Sequence, residues 1–145
     1  MEDDVSEMEP VARLFSGISH PSRIRILYGV REGKTMQEVA DTLEVTRGGL
    51  QDHIERMVTA ELIYRPEDGT YALTPFGTYL VELLESDGDT LQDAFEILDD
   101  EQDTVEEEFD SADLPIDDRT REKSVHTETW KRAKDRIQEL LEESR

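Results

Sequence analysis

The segment Val45-Thr-Arg-Gly-Gly-Leu-Gln-Asp-His-Ile-Glu-Arg-Met-Val-Thr-Ala-Glu-Leu-Ile63 separates two faces of one predicted helix. Thr46 suits an N-cap, and Leu50, Ile54, Met57 and Val58 recur at the spacing of a buried stripe that runs to Ala60. Thr46, Arg47, Gly48, Gln51 and Asp52 collect on the open face of the first turns, away from Leu50 and Ile54. A helix start of this composition offers free backbone amides, a guanidinium that matches guanine O6 and N7, and a side-chain amide that matches adenine. Gly48 and Gly49 weaken the helix by about 1 kcal/mol each. They are either merely tolerated there or they let another backbone approach closely.

Working upstream, Met36, Val39, Ala40 and Leu43 predict a helix over about Thr35 to Leu43. Only Glu44 and Val45 separate it from the Thr46 cap, so the two helices turn sharply into each other. Before them, Ser22 after His20-Pro21 is expected to cap a helix with Ile24, Ile26, Leu27 and Val30, stopped at Glu32-Gly33. Val11, Leu14, Phe15 and Ile18 mark a first helix that opens at Pro10, and residues 1–9 are expected to fray. Downstream, Leu62-Ile63-Tyr64-Arg65 and Thr70-Tyr71-Ala72-Leu73 flank the tip Pro66-Glu67-Asp68-Gly69 and read as a hairpin. Thr74-Pro75 then opens a helix carrying Phe76, Tyr79, Leu80, Leu83 and Leu84. Four helices, a hairpin and a helix is the order of a winged helix-turn-helix.

Ser86-Asp-Gly-Asp89 is expected to interrupt the chain, with Asp89 capping a further helix whose Leu91, Phe95, Leu98, Val105 and Phe109 share a face. Leu114-Pro115 ends it. A last helix, starting between Asp117 and Thr127, sets Trp130, Ala133, Ile137 and Leu140 at alternating spacings of three and four. That is about two heptads, too short for an isolated coiled coil, so it is expected to pack on its own domain or on a partner. The expected fold class is mainly α with a small β-hairpin wing: a frayed acidic terminus (1–9), a winged helix-turn-helix (10–86) and an acidic helical extension (87–145).

The 145 residues hold 37 Asp and Glu against 16 Lys and Arg, a formal charge of -21 that by itself argues against nucleic acid. Its distribution reverses that inference. Residues 20–65 balance Arg23, Arg25, Arg31, Lys34, Arg47, Arg56 and Arg65 against Glu32, Glu38, Asp41, Glu44, Asp52, Glu55 and Glu61, whereas residues 66–118 contain no Lys or Arg. An acid-rich, Lys-poor, Cys-free chain resembles proteins of salt-loving organisms, in which salt screens the self-repulsion. No cofactor is implied beyond potassium ions condensed non-specifically on the carboxylates. Long apolar runs and a basic leader are both lacking, which predicts a soluble cytoplasmic protein with no membrane partner.

Gly17-Ile-Ser-His-Pro-Ser-Arg-Ile-Arg-Ile-Leu27 and the 45–63 segment resemble the matching stretches of ArsR-type winged-helix repressors, and the likeness extends over roughly residues 11–85. The resemblance implies that Thr46, Arg47, Gly48, Gln51 and Asp52 face double-stranded DNA, as the residue pattern also suggests, and that the protein is a transcription regulator. It also implies a homodimer built from the first and last helices, for which Leu14, Leu91, Phe95, Leu98, Val105, Phe109, Trp130, Ile137 and Leu140 are the interface candidates. The other reading of the tail residues is that they cap the core of the monomer. Gly49 belongs to the same helix start as the DNA-facing set. His53 faces DNA or fills the space between its helix and a neighbour, while Arg56 and Arg65 contact phosphate or form surface ion pairs. Arg23 and Lys34 are weaker candidates of the same kind, and His20 reads as a loop residue.

The chain departs from the family where glycine is common, at Glu44 and Glu61, and in the acidic tip Glu67-Asp68. With no Cys, thiol-based metal or redox sensing is excluded. His126-Thr-Glu128 reads as a solvated helix face, no catalytic motif is present, and no enzyme is expected. The competing function is a winged-helix interaction module that docks on transcription machinery. A small-molecule effector is left open.

Overall fold

A computed structural model describes residues 7–66 and 69–144. The tip Glu67-Asp68 lies outside them, as do residues 1–6 of the segment expected to fray. The described fold is mainly α-helical with one two-stranded antiparallel hairpin: α1 (Glu9–Ser16), α2 (Pro21–Arg31), α3 (Met36–Leu43), α4 (Arg47–Thr59), β1 (Ile63–Tyr64), β2 (Ala72–Leu73), α5 (Pro75–Ala112) and α6 (Asp118–Glu143). Two compact units meet between Leu83 and Leu84.

In the first unit the helix starts are set by local chemistry. Thr35 and Glu38 form a reciprocal capping box at α3, and the Thr46 hydroxyl accepts from Gly49 N at 3.0 Å to cap α4. At α2 the cap is His20 and not Ser22: the imidazole Nδ1 accepts the Ser22 amide at 3.0 Å. Pro21 fits the first helical position, where its fixed φ suits the helix and its missing N–H costs nothing, which moves the cap one residue ahead of it.

α2 packs on α3, α4 and β2, and α4 packs on β1. Ile26, Leu27 and Val30 meet Val39, Leu50, Ile54, Met57, Leu62, Ile63, Leu80 and Val81 in the core. Full burial of each large side chain is worth about 1.5–3 kcal/mol before the entropy of ordering is subtracted. Val58, expected in this stripe, is 40% exposed; Met57 holds the buried position, and α4 ends one residue after Val58. A similar correction applies at the start of α5, where Gly77, Leu80 and Val81 are buried but Phe76, Tyr79 and Leu83 are exposed. Gly77 contributes no apolar side chain to the pattern, so the sequence alone rotated the buried arc toward Phe76.

Glu44 and Glu61 adopt left-handed backbone, with φ of 55° and 69°. Glu44 ends α3 in that conformation and makes the tight turn into the Thr46 cap. A side chain there costs about 1 kcal/mol that glycine does not incur, partly offset by the greater freedom of glycine in the unfolded chain. Glu44→Gly is therefore expected to stabilise the protein by about 0.5 kcal/mol, read as a small rise in the thermal midpoint.

The second unit is a helical hairpin made of the later part of α5 and all of α6. The expected interruption at Ser86-Asp-Gly-Asp89 does not occur, and α5 runs continuously through it. Weak helix formers each cost up to about 1 kcal/mol, but without proline none of them removes a helical hydrogen bond. Asp113, at φ 46°, ends the helix before Pro115, and Asp117 caps α6 by accepting from Thr120 N at 2.7 Å. Ala94, Val105, Val125, Thr129, Ala133 and Ile137 are buried here, and the Thr129 hydroxyl is satisfied by Val125 O at 2.7 Å. Arg132 forks onto Glu108 at 2.7 and 3.1 Å and also reaches Glu128, which holds the Glu108 carboxyl below its ordinary range. Arg121 pairs with Asp110, so the pairing of the two helices is antiparallel.

Candidate nucleic-acid interface

Residues 44–46 turn the end of α3 into the start of α4, and the hairpin follows α4 after three residues. The start of α3, the first turns of α4 and the hairpin line one groove of about 710 Å³. Its polar lining is Lys34, Thr35, Gln37, Arg47, Gln51, Arg65 and Thr70, and Met36, Ala40, Leu50, Ile54 and Tyr71 with Gly48 and Gly69 supply the rest. Among the described residues that line it, none is Asp or Glu. In a chain of formal charge -21, three cations with no acid among the described lining residues make this groove locally opposite in sign to the chain as a whole.

Each wall has a structural cause. Thr35 and Thr46 cap their helices, and residues at both helix starts line the groove, so the positive ends of two helix dipoles lie along it. Glu38 offsets part of this at α3, because its carboxylate accepts from Thr35 N at 3.3 Å. Arg65 is held in the hairpin by its Nε donating to Gly69 O at 3.0 Å and by the Tyr71 ring, whose centroid lies 5.7 Å from the guanidinium carbon. Lys34 lies 3.3 Å from Glu32, an exposed pair of small energetic weight. A groove of this composition suits a phosphate-bearing polymer whose bases or sugars can lie against Tyr71 and Gln51.

Of the residues singled out from sequence, Arg47, Gly48, Gln51 and Arg65 line the groove, and Thr46 and Gly49 build the cap beneath it. Asp52 and Arg56 are exposed elsewhere on α4. His53 takes the second position weighed for it, half-buried between α4 and α2: its Nδ1 accepts from Arg23 Nε at 3.2 Å and its ring centroid lies 4.7 Å from that of His20. Lys34, weighted lightly from sequence, belongs to the groove, as do Gln37 and Tyr71, which no motif marked. Arg23, also weighted lightly, donates to Ser16 O at 2.9 Å and to the Ser19 hydroxyl, bracing the corner between α1 and α2.

The candidates for a subunit interface divide by burial. Val105 is wholly buried and Ile137 nearly so, inside the second unit, while Leu98, Phe109 and Leu140 are partly buried. Leu91, Phe95 and Trp130 are 48%, 58% and 38% exposed, and Leu14 of α1 is half-buried. Among the described residues, no helix is long and apolar enough to cross a membrane, and no cluster of three or more His, Cys, Asp or Glu is placed to hold a metal ion.

Gly48 separates two explanations left open by the sequence. A methyl group at its Cα would meet nothing within 4 Å. Gly48→Ala is thus expected to raise helix stability by about 1 kcal/mol, and any loss of ligand affinity in that variant measures how closely a ligand approaches the backbone. Thermal unfolding and a binding titration on the same sample check both halves. No family model, curated protein or solved structure matches this chain.

Proposed function

We propose that the protein is a sequence-specific DNA-binding transcription regulator whose first unit is a winged helix-turn-helix resembling the ArsR type. The observation that carries this reading is the groove at the starts of α3 and α4, where Lys34, Arg47 and Arg65 lie and no Asp or Glu is found among the described lining residues. α4 is the recognition helix: Arg47 and Gln51 read base edges in the major groove, and Lys34 and Arg65 hold flanking phosphates. Two-fold pairing of chains places two such helices about one DNA turn apart. The exposed Leu91, Phe95 and Trp130 offer apolar surface for that pairing.

The carboxylates outside the groove repel DNA over long range at low salt, so added salt relieves repulsion while it displaces the cations held by phosphate. The affinity is therefore expected to fall less steeply with KCl than the phosphate contacts of Lys34 and Arg65 alone would dictate. Fluorescence anisotropy with a duplex from upstream of the protein's own gene and a scrambled duplex, from low to molar KCl, tests the reading. Preference for the upstream duplex supports it. Folded protein with no preference at any salt points instead to a module that docks on another protein.

A further inference from the structure

His53 is half-buried, and its Nδ1 is the acceptor for Arg23 Nε at 3.2 Å. Arg23 in turn donates to Ser16 O and Ser19 Oγ, so one guanidinium ties the end of α1, the loop that follows and α4 together. Four groups that carry or can carry positive charge gather there. His20 and Arg23 come from the start of α2, and His53 and Arg56 from α4, with Asp52 the acid acting against them. We propose that Arg23 and His53 form a proton-sensitive latch that holds α4 on the α1–α2 corner and opens when His53 is protonated.

The chemistry follows from the acceptor. A neutral imidazole offers the Nδ1 lone pair to Arg23 only as the Nε2–H tautomer, and an imidazolium has no lone pair to offer. Proton uptake by His53 therefore turns a hydrogen bond into two facing N–H groups and adds a cation beside Arg23 and Arg56. His20 has a parallel constraint, since its Nδ1 accepts the Ser22 amide. Burial, then His20 and Arg23, hold the His53 imidazole below its ordinary value, and Asp52 opposes them. With the folded value below the unfolded one, the stability due to the latch is complete above the unfolded value near 6.5 and is lost as pH falls through the folded value. Arg23 is thus a positioning residue for α4, the helix that carries Arg47 and Gln51.

Imidazole NMR of the full chain in molar KCl reads the latch directly. The His53 midpoint is expected to lie lower in the folded protein than in urea, and to move up in Arg23→Gln. His53→Asn keeps an acceptor oxygen near the Nδ1 position and does not titrate. Between pH 7.5 and pH 5 the thermal midpoint of the wild-type protein should fall by about 4 °C more than that of this variant. Comparison within one buffer cancels the effect of protonating the many surface carboxylates, and His20→Asn, which keeps a good cap, separates the contribution of His20. Coincident folded and unfolded His53 midpoints, or a wild-type profile identical to that of His53→Asn, would overturn the latch. If His53→Asn does not fold, the wild-type and Arg23→Gln titrations still decide. None of these readouts requires DNA, so failure of the regulator reading leaves the latch standing, and the reverse also holds.

Discussion

Replacing Gly77 with alanine is expected to destabilise the first unit by about 3 kcal/mol, lowering its thermal midpoint by roughly 15 °C. A methyl group at that Cα would collide with the carbonyl oxygen of Leu62 and lie 3.3 Å from Leu73 Cδ2. The carbonyl is held where it is, because it accepts from Thr74 N at 3.0 Å, while the Thr74 hydroxyl donates to the neighbouring Glu61 O at 2.5 Å. The same hydroxyl accepts from Gly77 N at 3.1 Å, so the start of α5, the end of α4 and the hairpin share one hydrogen-bonded joint. Relief of the clash must lift α5 from β1 and uncover Leu80 and Val81, which are 0% and 1% exposed. Gly88→Ala is the control. Its added methyl would meet nothing within 4 Å, and an alanine inside α5 should stabilise the helix by about 1 kcal/mol. Circular dichroism melts of the two variants should therefore move in opposite directions.

The second large effect is on binding. Arg47→Glu is expected to weaken DNA affinity at least 100-fold, about 2.7 kcal/mol or more, while leaving the fold intact. Loss of a bidentate guanine contact is worth about 1–3 kcal/mol, and a carboxylate facing phosphate adds repulsion. Misfolding does not explain such a loss, because Arg47 is exposed at the first position of α4, where an acidic residue interacts favourably with the helix dipole. An unchanged or slightly raised thermal midpoint alongside the lost affinity is the expected pair of results, with anisotropy and dichroism measured on one preparation. Equal affinity in both proteins would remove Arg47 from the interface.

What could be read from the residues depended on how local the governing physics was. Thr46 with Leu50, Ile54 and Met57 announced α4 through a cap and a period, and Asp68-Gly69 between short β-forming runs announced the hairpin. The helix through Ser86-Asp-Gly-Asp89 was not legible, since the weak formers there signal a break that the flanking turns override. Burial at the start of α5 was misplaced for a related reason: Gly77 is chosen for its lack of a side chain, and pattern reading counts side chains. The groove was half legible. Arg47 and Gln51 share one helix face with Thr46, but Gln37 and Tyr71 join them only through the tertiary turn at Glu44 and the hairpin. His53 was ambiguous because its partner, Arg23, lies thirty residues earlier, on another helix.

The backbone amide NMR spectrum of the full chain, titrated with a duplex from upstream of its own gene in KCl sufficient to keep it folded, is the most direct test of the groove as a DNA-reading surface. The expected result is a contiguous set of shifted amides at Lys34–Gln37, Thr46–Gln51 and the hairpin residues Arg65 and Gly69–Tyr71, and that set should vanish in Arg47→Glu. Shifts confined to residues after Leu83, or the same shifts with a scrambled duplex and with Arg47→Glu, would contradict it.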